Sequence, residues 1–123
     1  MYQARANAYK TVGVQSASPQ RILDEVFLRI QLDCERAVTA IENNDVQGRC
    51  EQLGHAIKLV GALEVSLDKD LAPELCENLV GLYGYVRARL VDANLKADVK
   101  AVQEATDLIR EVHGSFQAAQ EAA

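Results

Sequence analysis

Large apolar residues recur three and four positions apart in four separate blocks of this chain, and each block is bounded by residues that start or stop a helix. On a helix of about 3.6 residues per turn, that spacing gathers the apolar side chains on one stripe. Ser18-Pro19 opens the first block, since Ser18 can accept a hydrogen bond from an orphan N–H and Pro19 suits the first helical position. Arg21 stands where a capping-box glutamate would, so half of that signature is present. Ile22, Leu23, Val26, Phe27, Ile30, Cys34, Ala37, Val38 and Ile41 carry the stripe to residue 42, and Leu28 and Leu32 widen it on one flank. Asn43-Asn44 suits the left-handed stop, and Asp45 the cap of the next helix.

The second block runs from Val46 to Leu67, with Cys50, Leu53, Ile57, Val60, Leu63 and Leu67 inward. Gly54 and Gly61 fall on nearly one face of it; close approach of another helix and plain tolerance both account for them. Residues 66–70 form the turn, and Pro73 starts a third helix that ends near Asn94-Leu95, with Arg87, Arg89 and Lys96 at the end of the dipole that favours cations. Asp98 caps a fourth, where Val102, Ala105, Ile109, Val112 and Phe116 recur at helical spacing, and residues 118–123 read as a fraying polar tail. Short loops make neighbouring helices antiparallel, so the expected fold is all-α: an up-down four-helix bundle over 18–120 behind an N-terminal tail of residues 1–17.

With 123 residues, 49% hydrophobic and 25% charged, the chain suits one soluble domain with a single core. Its net charge of −5 argues against nonspecific binding to nucleic acid or anionic membrane. No apolar run approaches the roughly 20 residues that span a bilayer, and no basic-then-apolar leader opens the chain, so the expected location is the cytosol without membrane insertion. Cys34, Cys50 and Cys76 are far apart and fall on or near apolar stripes, where cysteine acts as a small buried hydrophobe. Residues 1–21 carry three bases (Arg5, Lys10, Arg21) and no acid, whereas the remainder carries a net −8. A cationic tail with Tyr9, Val12 and Val14 as anchors can fold back onto such a body. Each buried anchor contributes roughly 1.5–3 kcal/mol, against roughly 1–2 kcal/mol per ordered residue, so a docked tail is displaceable; a frayed terminus is the alternative.

Little in the sequence suggests catalysis. There is no Gly-rich phosphate loop, no nucleophile elbow and no metal-ligand spacing around His55 or His113, so neither a cofactor nor a metal is expected. Asp24, Asp33 and Glu35 read as solvated-face acids. His55-Ala-Ile-Lys58 is similar to the His-x-Leu-Lys-Gly of histidine phosphotransfer domains, but Leu59 stands where that pattern has glycine. A phosphotransfer role for His55 and a generic helical adaptor remain alternatives.

The third block, Asn78 to Asn94, reads NLVGLYGYVRARLVDAN. Leu79, Leu82, Tyr83, Val86 and Leu90 form its stripe, and Val80, Tyr85 and Val91 lie off it, giving more apolar surface than one neighbour covers. Followed by Asp98, the stretch resembles the third helix of the flagellar secretion chaperone family FliS. Ala8-Tyr9, the Ser16–Pro19 start of helix one and Ser66-Leu67-Asp68 extend the likeness over nearly the whole chain. Leu28-Arg29 stands where Asp-Gly is frequent, Ala72-Pro73-Glu74 where Gly-Gly-Glu is, and Phe116 where Trp is usual.

The resemblance implies a non-enzymatic chaperone that binds the C-terminal segment of flagellin 1:1 outside the bundle, prevents premature polymerisation and is handed to the export gate. It also implies that the N-terminal segment occupies part of the groove when flagellin is absent, with Tyr9 as the candidate cap, and that the free protein is a monomer or weak homodimer. Tyr9, Val80, Leu82, Tyr83, Tyr85, Leu90, Val91 and Asn94 are the candidate flagellin-binding residues. Of these, Leu82 and Leu90 lean towards the core, Tyr85 and Val91 towards the partner, and Asn94 towards capping helix three.

Overall fold

A computed structural model describes residues 18–122; the tail with Tyr9 lies outside the described residues. Four helices follow one another: α1 (Pro19–Glu42), α2 (Val46–Val65), α3 (Pro73–Lys96) and α4 (Val99–Ala122). Each packs against the helix before or after it in the chain, and α4 closes the ring against α1. The side-chain bridges run in antiparallel register. Gln120 Nε2 donates to the Gln20 carbonyl at 3.3 Å, which ties the end of α4 to the start of α1. The result is an all-α four-helix bundle, as the periodicity predicts.

The helix ends follow local chemistry. Ser18 Oγ accepts from the Arg21 N–H at 3.1 Å. Asp45 Oδ1 accepts from the Gly48 N–H at 2.9 Å, and a Cβ at Gly48 would run into that same carboxylate. Asp98 Oδ1 accepts from the Lys100 N–H at 3.0 Å. Ala72 offers no side-chain cap to α3, which relies on Pro73. The end of α3 is strained: its C-cap, Ala97, sits at φ 52°, in the left-handed region that costs an alanine about 1–2 kcal/mol. Ala97→Gly is therefore expected to stabilise the bundle by about 1 kcal/mol in denaturant unfolding.

Three boundary expectations are corrected. The second helix stops at Val65, and the loop to Pro73 is longer than the expected turn. Asn94 does not cap α3, which continues to Lys96; its Oδ1 accepts from Arg49 Nε on α2 at 3.4 Å. The fourth helix runs through the supposedly fraying tail to Ala122, because Ala119 is fully buried and keeps the stripe going.

The core is filled by Phe27, Ile30, Leu53, Val60, Leu63, Tyr83, Val86, Leu90, Val102, Ile109 and Phe116. Cys34 and Cys76 are buried in it as expected, but Cys50 is exposed near the open start of α2, where no neighbour covers it. Burial pushes the Cys34 thiol up to about 11 from 9.0, and it raises Cys76 as well. A thiol whose folded pKa is raised stabilises the fold below its unfolded value; that contribution disappears as pH climbs from 9.0 towards about 11. Thiol titration of the native protein is expected to show one fast cysteine, Cys50, and two that react only on unfolding.

Asp33 also departs from its expected place, since it is completely buried. Its position three after Ile30 and four before Ala37 is a stripe position. Its charge is met by Arg29 Nε at 3.0 Å and by His55 Nδ1 on α2. Asp24 is likewise partly covered, with its Oδ1 2.6 Å from the buried His113 Nε2.

Candidate functional site

Seven large apolar residues stay exposed among the described residues: Leu28, Val46, Val65, Leu71, Tyr85, Val91 and Leu95. All but Leu28 belong to α2, to α3 or to the loop joining them, so the uncovered apolar surface is concentrated on that half of the bundle. At about 100° per residue, α3 directs two shoulders past its buried stripe. On one, Val80, Gly84, Arg87, Val91 and Asn94 face α2, as the bridges show: Arg87 Nε and Nη2 donate to the two carboxylate oxygens of Glu64 at 2.8 and 3.1 Å, and Asn94 meets Arg49. On the other, Leu82, Tyr85 and Arg89 face α4, where the Tyr85 hydroxyl donates to Glu104 Oε1. Arg89 Nε lies 3.4 Å from the same Glu104 oxygen, near enough to attract it, although the angle makes no hydrogen bond. The Glu104 hydrogen bond raises the Tyr85 phenol above its ordinary value.

The structure thus separates the sequence candidates. Tyr83 and Leu90 are fully buried and hold the core, Leu90 as the sequence leans. Val80 and Leu82 are half-buried, packed against the core from opposite shoulders. Tyr85, 50% exposed, and Val91, 42% exposed, are the candidates with most free surface, yet they lie about 120° apart around α3 and belong to different seams. Val46, Val65, Leu71 and Leu95 escaped the sequence reading; the available signal was that they fall outside the inward stripes, as Val91 does.

Polar bridges and two hollows mark the α2/α3 seam. Near the C-terminal end of α2 it is crossed by the Glu64–Arg87 ion pair, the most regular polar bridge on this face. Val91, Leu95, Val46 and Cys50 lie towards one end, and Val80, Val65 and Leu71 towards the other, where hollows of about 300 and 310 Å³ are lined by Lys69, Pro73, Glu77 and Val80 and by Glu64, Val65 and Leu67–Asp70. Gly61 and Gly84 lie between. A Cβ at either, or at Gly54 or Gly81, would meet nothing within 4 Å, so these glycines are not there for close helix approach within the bundle. Gly61→Ala is expected to stabilise the free protein by about 0.5–1 kcal/mol. Gly48→Ala is expected to gain little, because it displaces the Asp45 cap.

A hollow of about 280 Å³ in the α1/α4 seam has a different character, lined by Gln31, Glu35, Thr39, Gln103, Asp107 and Arg110 over the buried Cys34. Among the described residues no helix is long and apolar enough to cross a membrane, and no three His, Cys, Asp or Glu side chains converge as a metal site would need.

The model of the family described as "Flagellar protein FliS" matches residues 1–123. The chain belongs to the FliS family. Among its relatives are the flagellar secretion chaperone FliS of Escherichia coli, 37% identical over 91% of this chain and 87% of the relative. The FliS of Salmonella typhimurium is 33% identical over the same shares. The flagellar secretion chaperone FliSB of Pseudomonas aeruginosa is 33% identical over 94% of this chain and 96% of its own.

Proposed function

We propose that this protein is a cytosolic, non-enzymatic chaperone for flagellin, holding the C-terminal segment of flagellin in a 1:1 complex until the complex reaches the flagellar export apparatus. The observation that carries this reading is the concentration of exposed apolar side chains along α2, α3 and their loop, in a chain of the FliS family. An amphipathic helix laid along the α2/α3 seam would set apolar anchors against Val80 and Val91, about 16 Å apart along α3. Gly61 and Gly84 would admit its backbone closely between them. Tyr85 on the far shoulder would be reached by a segment that continues over α3 towards α4.

Sequestering that segment would keep flagellin from polymerising before export. The test is filament growth of purified flagellin, followed by light scattering with increasing amounts of this protein. Suppression that saturates at one chaperone per flagellin supports the reading. Growth unaffected at molar excess of a folded chaperone contradicts it. Tyr9 and the N-terminal segment are proposed as a displaceable cover of the seam, and removal of residues 1–17 is expected to tighten flagellin binding.

A further inference from the structure

We propose that His55 is a phosphoryl-accepting side chain, independent of the chaperone seam. Asp33 is completely buried in α1, and both its oxygens are spoken for: one receives Arg29 Nε at 3.0 Å, the other His55 Nδ1. A carboxylate accepts only, so the imidazole donates from Nδ1, and in the neutral ring Nε2 is then the nitrogen with the lone pair. The His55 side chain is 44% exposed, and among the described residues no hydrogen bond engages Nε2. A buried carboxylate that fixes the tautomer and orientation of an accessible imidazole is an arrangement suited to nucleophilic attack.

The surroundings favour an anionic electrophile. Arg29 is half exposed beside the pair, and Lys58 is exposed one helical turn from His55. Leu59, at the position where a bulky side chain would obstruct an incoming group, instead packs partly buried against the core. No further His, Cys, Asp or Glu among the described residues is placed to complete a metal site around the ring. The other histidine offers a contrast: His113 is buried, with Nε2 2.6 Å from Asp24 Oδ1 and Nδ1 2.9 Å from Gln31 Nε2, so neither nitrogen is free.

The donor class is an acyl phosphate. The Nε2 lone pair attacks phosphorus, the N–P bond forms as the P–O bond to the acyl group breaks, and the carboxylate leaves with the bonding electrons. The ring becomes a phosphorylated imidazolium that still carries its Nδ1 proton, and the positive charge faces Asp33. His55 lies about 180° around α2 from Glu64, which pairs with Arg87 on α3, and its own partner Asp33 is on α1, so the acceptor stays accessible while the α2/α3 seam is occupied.

The test uses the full chain and phosphoramidate as the phosphoryl donor, in which the P–N bond breaks and ammonia leaves. Peptide mapping under alkaline conditions and phosphorus NMR locate the product. Incorporation is expected at His55 and not at His113, about tenfold or more faster than at His55 of the urea-unfolded chain, and slowed about tenfold by Asp33→Asn. His55→Gln is expected to abolish it. Equal rates in native and unfolded chains, or no incorporation, would overturn the proposal; should Asp33→Asn not fold, the native-to-unfolded ratio alone decides. Because no flagellin is present, the outcome is separate from that of the chaperone assays.

Discussion

Val91→Glu is expected to weaken flagellin binding by about 10–100-fold, roughly 1.4–2.8 kcal/mol, with the fold intact. Val91 is 42% exposed and glutamate is a better helix former than valine, so the free bundle loses little. The bound state loses an apolar anchor and gains a charge that must be desolvated beside the Glu64–Arg87 pair. Calorimetric titration reads the affinity, and circular dichroism with thermal melting reads the fold. Tyr85→Ala provides the comparison, because Tyr85 lies on the other shoulder and meets Glu104 on α4. A loss similar to that of Val91→Glu indicates a partner that crosses α3; an unchanged affinity confines it to the α2/α3 seam. Unaltered binding by Val91→Glu itself would remove that seam from the account.

The largest effect on stability is expected from Phe27→Ala. Phe27 is completely buried, stacks on the His113 ring at 5.2 Å and meets Phe116 at 5.7 Å, so one side chain joins α1 to α4. Its loss removes the transfer term and leaves a cavity between helices whose backbones cannot close it, at about 3–5 kcal/mol. Against a total of about 5–15 kcal/mol for a domain of this kind, this is a severe change, and the melting temperature should fall by upwards of about 10 °C. A drop of a degree or two would mean that the α1/α4 interface is not packed as described. His113 would also lose its ring partner while keeping Asp24 and Gln31, so local exposure of that histidine should rise before global unfolding.

The helices were legible because their signals are local. Ser18, Asp45 and Asp98 cap where their side chains can reach free N–H groups, and the apolar period alone gathers Phe27, Leu53, Val86 and Ile109 into one core. What the sequence misplaced depends on partners far along the chain. Asp33 reads as a surface acid until His55 and Arg29 are seen to satisfy it, and Asn94 reads as a cap until Arg49 is found across the seam. Cys50 has the period of a core residue, but it lies on a flank of α2 that nothing covers.

The candidate site was half legible for the same reason. That α3 has more apolar surface than one neighbour needs follows from its period. That Tyr85 and Val91 fall on opposite shoulders, and that Val65, Leu71 and Leu95 join the exposed set, follows only from which helix lies on each side. The family was carried by the motif, and the family model matches it over residues 1–123.

The measurement closest to the central claim is titration calorimetry of this protein against the C-terminal segment of its own flagellin at several temperatures. The account predicts a 1:1 complex with a large negative heat-capacity change, the signature of apolar burial with folding of the segment on the bundle. A folded sample that shows no heat and no binding at concentrations on the order of tens of micromolar, a free energy weaker than about −7 kcal/mol, would contradict it.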